Sequence, residues 1–159
     1  MKLRSHSYLS MVAVVVVLVA AGFAHAQNWV GLRSGVPLGV TLHYGIAGAL
    51  PDGSDLRVSG AVRSRGGDLN FGVGIDALNE LSVAEPFVVY AGGGPALDFS
   101  QEGALLDVHV LLGGEFLFGD VGLEPLGVFA ELSLGVGIGL GRPNEIPTFG
   151  GALGVNYRF

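Results

Sequence analysis

Apolar and polar residues alternate one by one along most of the chain that follows residue 27. The segment 126–140 shows the alternation most clearly. Its even-numbered positions form one unbroken apolar row: Leu126, Val128, Ala130, Leu132, Leu134, Val136, Ile138 and Leu140. Successive side chains of a β-strand point to opposite faces, so an alternating segment presents its apolar groups on one face. The pattern therefore predicts strands.

Eight such segments follow one another, separated by pieces rich in glycine, proline, asparagine and aspartate that indicate turns. The predicted strands are 28–34, 38–47, 55–64, 68–77, 86–99, 104–117, 126–140 and 148–159. Between the fourth and fifth strands, 76–85 could hold a single helical turn at most. The sequence thus predicts an all-β fold, an eight-stranded antiparallel up-and-down barrel.

The charged residues of the strands fall on the face opposite the apolar rows, where glycine is also frequent. In a membrane barrel the apolar rows face lipid and the polar rows fill the lumen. In a soluble lipocalin-like barrel the apolar rows would line a lipid pocket instead. Near-balanced charges and space-saving glycines favour the membrane version. We therefore expect a charge network in the lumen, formed by Arg33, Arg57, Arg63, Arg158, Asp76, Asp98, Asp107, Glu115 and Glu131.

The last strand, 148–159, ends on an aromatic residue at the carboxyl terminus. Its apolar row includes Leu153, Val155, Tyr157 and Phe159. This strand resembles the closing strand of bacterial outer-membrane β-barrels, whose terminal phenylalanine is read by the assembly machinery. The chain as a whole resembles the small eight-stranded outer-membrane barrels, the class that contains the barrel domain of outer-membrane protein A. The resemblance implies a transmembrane barrel in the outer membrane, with the barrel-assembly machinery and outer-membrane lipids as partners.

Two residues fit the predicted strand pattern less well than the others, and one part of the lumen could contain a groove. Trp29 falls on the inward face of the short first strand. Pro95 cannot donate to a strand ladder, so a bulge or the end of the embedded part is expected there. The inward glycines of the seventh and eighth strands could leave a groove beside Phe129 and Tyr90.

The first 26 residues have the pattern of a cleaved signal peptide. Lys2 and Arg4 precede the apolar run 11–23, and Ala24-His25-Ala26 fits the small-x-small cleavage pattern. We therefore predict a signal peptide over 1–26 and an outer-membrane β-barrel over 27–159.

The amino-acid composition and the short turns limit the chemistry and the kinds of partner that we expect for the barrel. The chain has no cysteine, which excludes disulfides and thiolate chemistry. The predicted barrel has fourteen acidic residues and no lysine, which argues against nucleic acid as a partner. The predicted outer turns are short, which argues against adhesion and receptor roles because loops usually carry such contacts.

One set of residues could perform catalysis. His109 with Asp107 or Glu131 and Ser133 lies on adjacent strands, all inward, and acyl transfer or lipid deacylation needs a serine, a histidine and an acid. The alternative is that these groups satisfy one another inside the lumen. With two histidines after the signal peptide, we predict no metal site and no cofactor.

The sequence therefore predicts a non-enzymatic outer-membrane barrel, either a structural envelope component or a narrow pore for a small solute of unknown identity. Two alternatives are a soluble lipocalin-like periplasmic barrel that binds a lipid and a lipid-modifying outer-membrane hydrolase. Partition into the aqueous phase would indicate the soluble barrel, and loss of activity on His109→Ala would be needed to support the hydrolase.

Overall fold

A closed barrel of eight antiparallel strands makes up the computed structural model, which describes residues 28–36, 38–65, 68–119 and 122–159. Each strand pairs with the next, and the eighth pairs with the first. The strands are β1 (Asn28–Val36), β2 (Gly39–Ile46), β3 (Asp55–Arg65), β4 (Asp68–Ala84), β5 (Phe87–Ser100), β6 (Gly103–Leu117), β7 (Leu126–Leu140) and β8 (Glu145–Arg158). The predicted fold class is confirmed. The signal peptide predicted for 1–26 lies outside the described residues.

The largest departure from the predicted strands is β4, which runs to Ala84 instead of ending at 77. The helical turn considered for 76–85 is wrong, because β5 supplies pairing partners as far as Ala84 opposite Phe87. The register shifts once, between Glu80 and Ser82, and the pairing then continues. Among the described residues, no helix is long and apolar enough to cross a membrane.

Pro95 does not produce the predicted bulge, and it does not end the strand. The β4–β5 ladder shows Gly74 opposite Ala96 and then Ala77 opposite Gly93, in an unchanged register. β5 continues past Pro95 to Ser100 and pairs with β6 throughout. A proline removes only its own N–H from a ladder, so the strand can keep its register on both sides of the residue.

The outer surface of the barrel is apolar and its interior is polar. Along β7 the even-numbered residues are all exposed, whereas the odd-numbered ones are buried or half-buried. Leu132 is 70% exposed, while its neighbour Glu131 is 5% exposed. Trp29 points inward as predicted and is buried. The lipocalin-like alternative requires an apolar interior, and this charged lumen does not provide one.

The two ends of the barrel differ in their connections. We call the end that holds residues 28 and 159 the terminal end, and the opposite end the distal end. At the terminal end the connections are 47–54, 85–86 and 118–125, and at the distal end they are 37–38, 66–67, 101–102 and 141–144. The distal end is therefore framed by short connections, as the sequence predicted.

Candidate functional site

A group of mainly charged side chains spans the lumen near its middle. Arg57 donates from Nε and Nη2 to Asp76 Oδ2, at 3.0 and 2.9 Å, and from Nη1 to Glu131. Glu131 also accepts hydrogen bonds from Arg33 and from Tyr90 Oη, the latter at 2.8 Å. We call these five residues the central plug. Arg57 and Asp76 are 2% and 1% exposed, so their charges are removed from solvent almost completely.

The register of the strands explains how the plug forms. Arg57 lies directly opposite Asp76 in the β3–β4 ladder, on the inward face of both strands. Glu131 belongs to β7 and reaches Arg57 across the lumen, which is narrow in an eight-stranded barrel. Buried ions are tolerated where each has a charged partner and further hydrogen bonds, and Glu131 has three donors. The plug thus ties β1, β3, β4, β5 and β7 together.

Below the plug, the terminal half of the lumen is packed with side chains. Arg158 donates to Glu115, Asn156 Nδ2 donates to Glu115 Oε1 at 3.0 Å, and His43 Nε2 donates to Asn156 Oδ1 at 2.8 Å. The Arg158 guanidinium lies 5.6 Å from the ring centroid of Trp29, within the range of a cation–π contact. The cavity that remains in this half measures about 30 Å³.

Above the plug, the distal half of the lumen contains a cavity of about 390 Å³. We call it the distal bowl. Its floor includes Arg33, Asp76 and Glu131 from the plug. Its walls and rim carry further polar pairs: Arg63 with Asp98, Thr148 with Asp107, and Arg142 with Glu145.

The sequence left open whether water or side chains occupy the space beside Phe129 and Tyr90, and in the structure these rings themselves fill the space that the neighbouring glycines leave. A Cβ on Gly113 would lie 2.4 Å from the Tyr90 ring, and a Cβ on Gly154 would lie 2.5 Å from the Phe129 ring. The open space lies instead in the distal half, where glycines and alanines form much of the lining: Gly35, Gly39, Ala61, Gly72, Gly74, Ala96, Gly150 and Ala152.

His109 lies in the wall of the bowl between two carboxylates. Its Nε2 is 3.1 Å from Asp76 Oδ1, and its Nδ1 is 3.0 Å from Asp107 Oδ2. Asp107 therefore pairs with His109 and Thr148, whereas the sequence led us to expect an arginine partner. Ser133 also lines the bowl, but the groups nearest to the two ring nitrogens of His109 are the carboxylates of Asp76 and Asp107. This arrangement does not support the hydrolase alternative.

The structure divides the nine predicted network residues among three places. Arg33, Arg57, Asp76 and Glu131 form the plug; Arg63, Asp98 and Asp107 line the bowl; Glu115 and Arg158 lie in the terminal half. The prediction from sequence did not include four members of the network: Tyr90, His43, Asn156 and Thr148. Their positions in the strand alternation place them on the inward face, and this was the signal that could have identified them. Among the described residues, no group of three or more metal-ligating side chains is present.

The apolar row of β8 lies on the outside of the barrel. Leu153, Val155, Tyr157 and Phe159 are each about half exposed or more. The backbones of Phe159 and Asn28 exchange two hydrogen bonds, of 2.9 and 3.1 Å, at the seam between β8 and β1. The Phe159 ring lies 6.3 Å from the rings of both Tyr44 and Tyr157, and Tyr44 is buried although its parity points outward. The terminal residue thus also helps to close the barrel.

Replacing Phe159 by alanine is expected to lower the free energy of unfolding by about 1–2 kcal/mol, because two aromatic pairs worth about 0.5–1.5 kcal/mol each are lost at the seam. Urea titration of the purified barrel in detergent measures this change. Phe149→Ala is the matched control, since Phe149 is exposed on the same strand but lies beyond the residues of β8 that pair with β1, near the distal end. Equal losses in the two variants would contradict a role of Phe159 in closing the barrel.

Comparisons with known proteins identify solved structures that share this fold. No protein-family model matches the chain, and no curated protein matches it in sequence. Among solved structures, it is similar to the N-terminal β-barrel domain of Pseudomonas aeruginosa OprF, with a TM-score of 0.60 and 15% identity over 84% of this chain and 96% of that one. It is also similar to Neisserial surface protein A (NspA), with a TM-score of 0.53 and 12% identity over 84% of this chain and 94% of that one. The predicted resemblance to the small eight-stranded outer-membrane barrels is confirmed at the level of the fold.

Proposed function

We propose that the protein is a non-enzymatic structural component of the outer membrane, a closed barrel whose lumen does not conduct. The observation that carries the proposal is the central plug, in which Arg57 joins Asp76 and Glu131 across the lumen with almost no exposure to solvent. The packed terminal half adds a second obstruction. A narrow pore, the other function that the sequence allowed, would need a continuous passage through both.

The apolar exterior supports placement in a membrane. Large apolar side chains are exposed on all eight strands, and an exposed apolar surface of this extent is otherwise found at interaction sites or causes aggregation. Lipid is the partner that covers it in a transmembrane barrel. Outer-membrane lipids and the barrel-assembly machinery, the latter acting on Leu153, Val155, Tyr157 and Phe159, are therefore the partners we propose.

The first test is membrane fractionation followed by gel electrophoresis with and without boiling. We expect the protein in the outer-membrane fraction, with a folded band that migrates differently from the boiled band. A soluble protein with a single mobility would contradict the membrane placement. It would also require a partner other than lipid for the apolar exterior.

The second test is single-channel recording in planar bilayers. We expect no resolvable conductance steps from the native chain. The double variant Arg57→Ser, Glu131→Ser removes one cation and one anion from the plug and leaves Arg33 and Asp76 to balance each other, so conductance should rise above the detection limit. The control Arg63→Ser, Asp98→Ser removes a pair from the bowl wall and should stay closed. Resolvable conductance steps from the native chain would contradict the closed barrel.

A further inference from the structure

We propose that the distal bowl is a binding site for an uncharged solute that carries several hydroxyl groups, such as a sugar. This inference goes beyond the structural role, and it holds whether or not the lumen conducts. The cavity of about 390 Å³ falls within the range of about 300–1,000 Å³ that is typical of small-molecule sites. The charge of its lining, its unpaired polar atoms and its access indicate the kind of ligand.

The charges of the bowl nearly cancel. The cations in its lining are Arg33, Arg63, Arg142 and, when protonated, His109, and Arg57 lies directly behind the floor. The acids are Asp76, Asp98, Asp107, Glu131 and Glu145. Four of these acids already contact an arginine, and Asp107 contacts His109. A ligand with a net charge would therefore meet no free counter-charge and would have to give up its hydration, which is costly.

Several polar atoms of the lining lack a hydrogen-bond partner among the described residues. They are Arg142 Nε, His109 Nδ1, Asn70 Oδ1 and Asp76 Oδ1, and each of these atoms has almost no surface exposed to solvent. Asp76 Oδ1 has His109 Nε2 at 3.1 Å, but the two atoms do not meet hydrogen-bond geometry. A hydroxyl group both donates and accepts, so a ligand with several hydroxyls suits a lining that holds donors and acceptors together. A carboxylate only accepts and an ammonium group only donates.

The ion pairs in the wall of the bowl also combine hydrogen-bond donors with acceptors that a hydroxyl group can use. Arg63 with Asp98 and Arg142 with Glu145 each present N–H donors beside carboxylate acceptors. Two adjacent hydroxyls on one ring can accept from the guanidinium and donate to the carboxylate without breaking the pair. Binding of this kind leaves the charge balance of the bowl unchanged.

Access to the bowl is from the distal end. The rim includes Val36, Arg142 and Pro147, which border the distal connections. The strand bounds leave only two to four residues for each of these connections. The plug forms the floor, so a solute enters and leaves by the same opening.

Saturation-transfer NMR of the folded protein in detergent micelles, with glucose as the probe, tests the proposal. We expect a glucose signal at millimolar concentration. Ala61→Leu places a large side chain in the bowl and should lower the affinity at least about tenfold. Asn70→Ala removes one acceptor and should lower it about fivefold. The control Ala130→Leu adds the same side chain on the outer surface of β7 and should leave binding unchanged.

Three results would overturn the proposal. One is the absence of a glucose signal from a native sample whose band shifts on boiling. A second is an equal signal from native protein and Ala61→Leu, or from Asn70→Ala where Ala61→Leu does not fold. A third is displacement of glucose by equimolar sodium acetate or ammonium chloride, which would assign the bowl to a charged ligand. If dextran, at an equal concentration of chain ends, competes with glucose, a terminal sugar of a glycan can enter the bowl. If dextran does not compete, the bowl binds only free solutes. Both of these results support the proposal. The conductance test of the closed barrel is independent of all these outcomes.

Discussion

Replacing Glu131 by alanine is expected to lower the free energy of unfolding by about 3–5 kcal/mol, the usual cost of removing one partner from a buried ion pair. Glu131 accepts hydrogen bonds from Arg33, Arg57 and Tyr90. Arg57 is 2% exposed and would retain only Asp76 as a partner, so part of its charge would be buried without compensation. Urea titration in detergent, followed by the fraction of protein in the folded gel band, measures the change.

Glu145→Ala is the matched control. Glu145 also pairs with an arginine, Arg142, but its side chain is 28% exposed at the rim of the bowl, so water can replace part of the interaction. We expect a loss of at most about 1 kcal/mol, as for exposed ion pairs. Glu131→Gln, which keeps the shape and one acceptor, should fall between the two. Equal stability of Glu131→Ala and Glu145→Ala would contradict the plug.

Gly94→Ala is expected to destabilise the barrel by about 3 kcal/mol, at the upper end of the usual cost of overpacking. A Cβ at this position would lie 1.9 Å from the carbonyl oxygen of Ile75 on β4. That oxygen belongs to the backbone, so it can move away only if the whole strand moves. The shift would displace Asp76, the next residue along β4, from Arg57. Loss of the folded band at a lower urea concentration measures the effect.

Gly60→Ala provides the control for Gly94→Ala. Gly60 lies on the outer face of β3, and a Cβ there would have no atom within 4 Å. We expect a gain of about 0.5–1 kcal/mol, because glycine weakens a strand relative to alanine. A similar destabilisation by both substitutions would show that the close approach of β5 to β4 is not the reason for glycine at 94.

The placement of charge in the lumen was predictable from single strands, but the partners were not. The inward face of Arg57, Asp76 and Glu131 follows from their position in the alternation, which is a local property of each segment. Which of them meet depends on the stagger between strands, and the stagger is set by the pairing of all eight. Asp107 illustrates this, because its height in the barrel places it beside His109 and Thr148.

The sequence alone determined the number of strands, the face that each side chain occupies and the outward direction of the apolar rows. These features follow from the period-two alternation, which is a local property of each segment. Only the tertiary structure decided how far β4 extends, that Pro95 keeps its register, and that the open space lies above the plug. These outcomes depend on neighbouring strands. β4 extends to Ala84 because β5 continues to pair with it that far. No space remains beside Gly113 and Gly154 because the Tyr90 and Phe129 rings fill it. The distal glycines have no such ring beside them, and that difference creates the bowl.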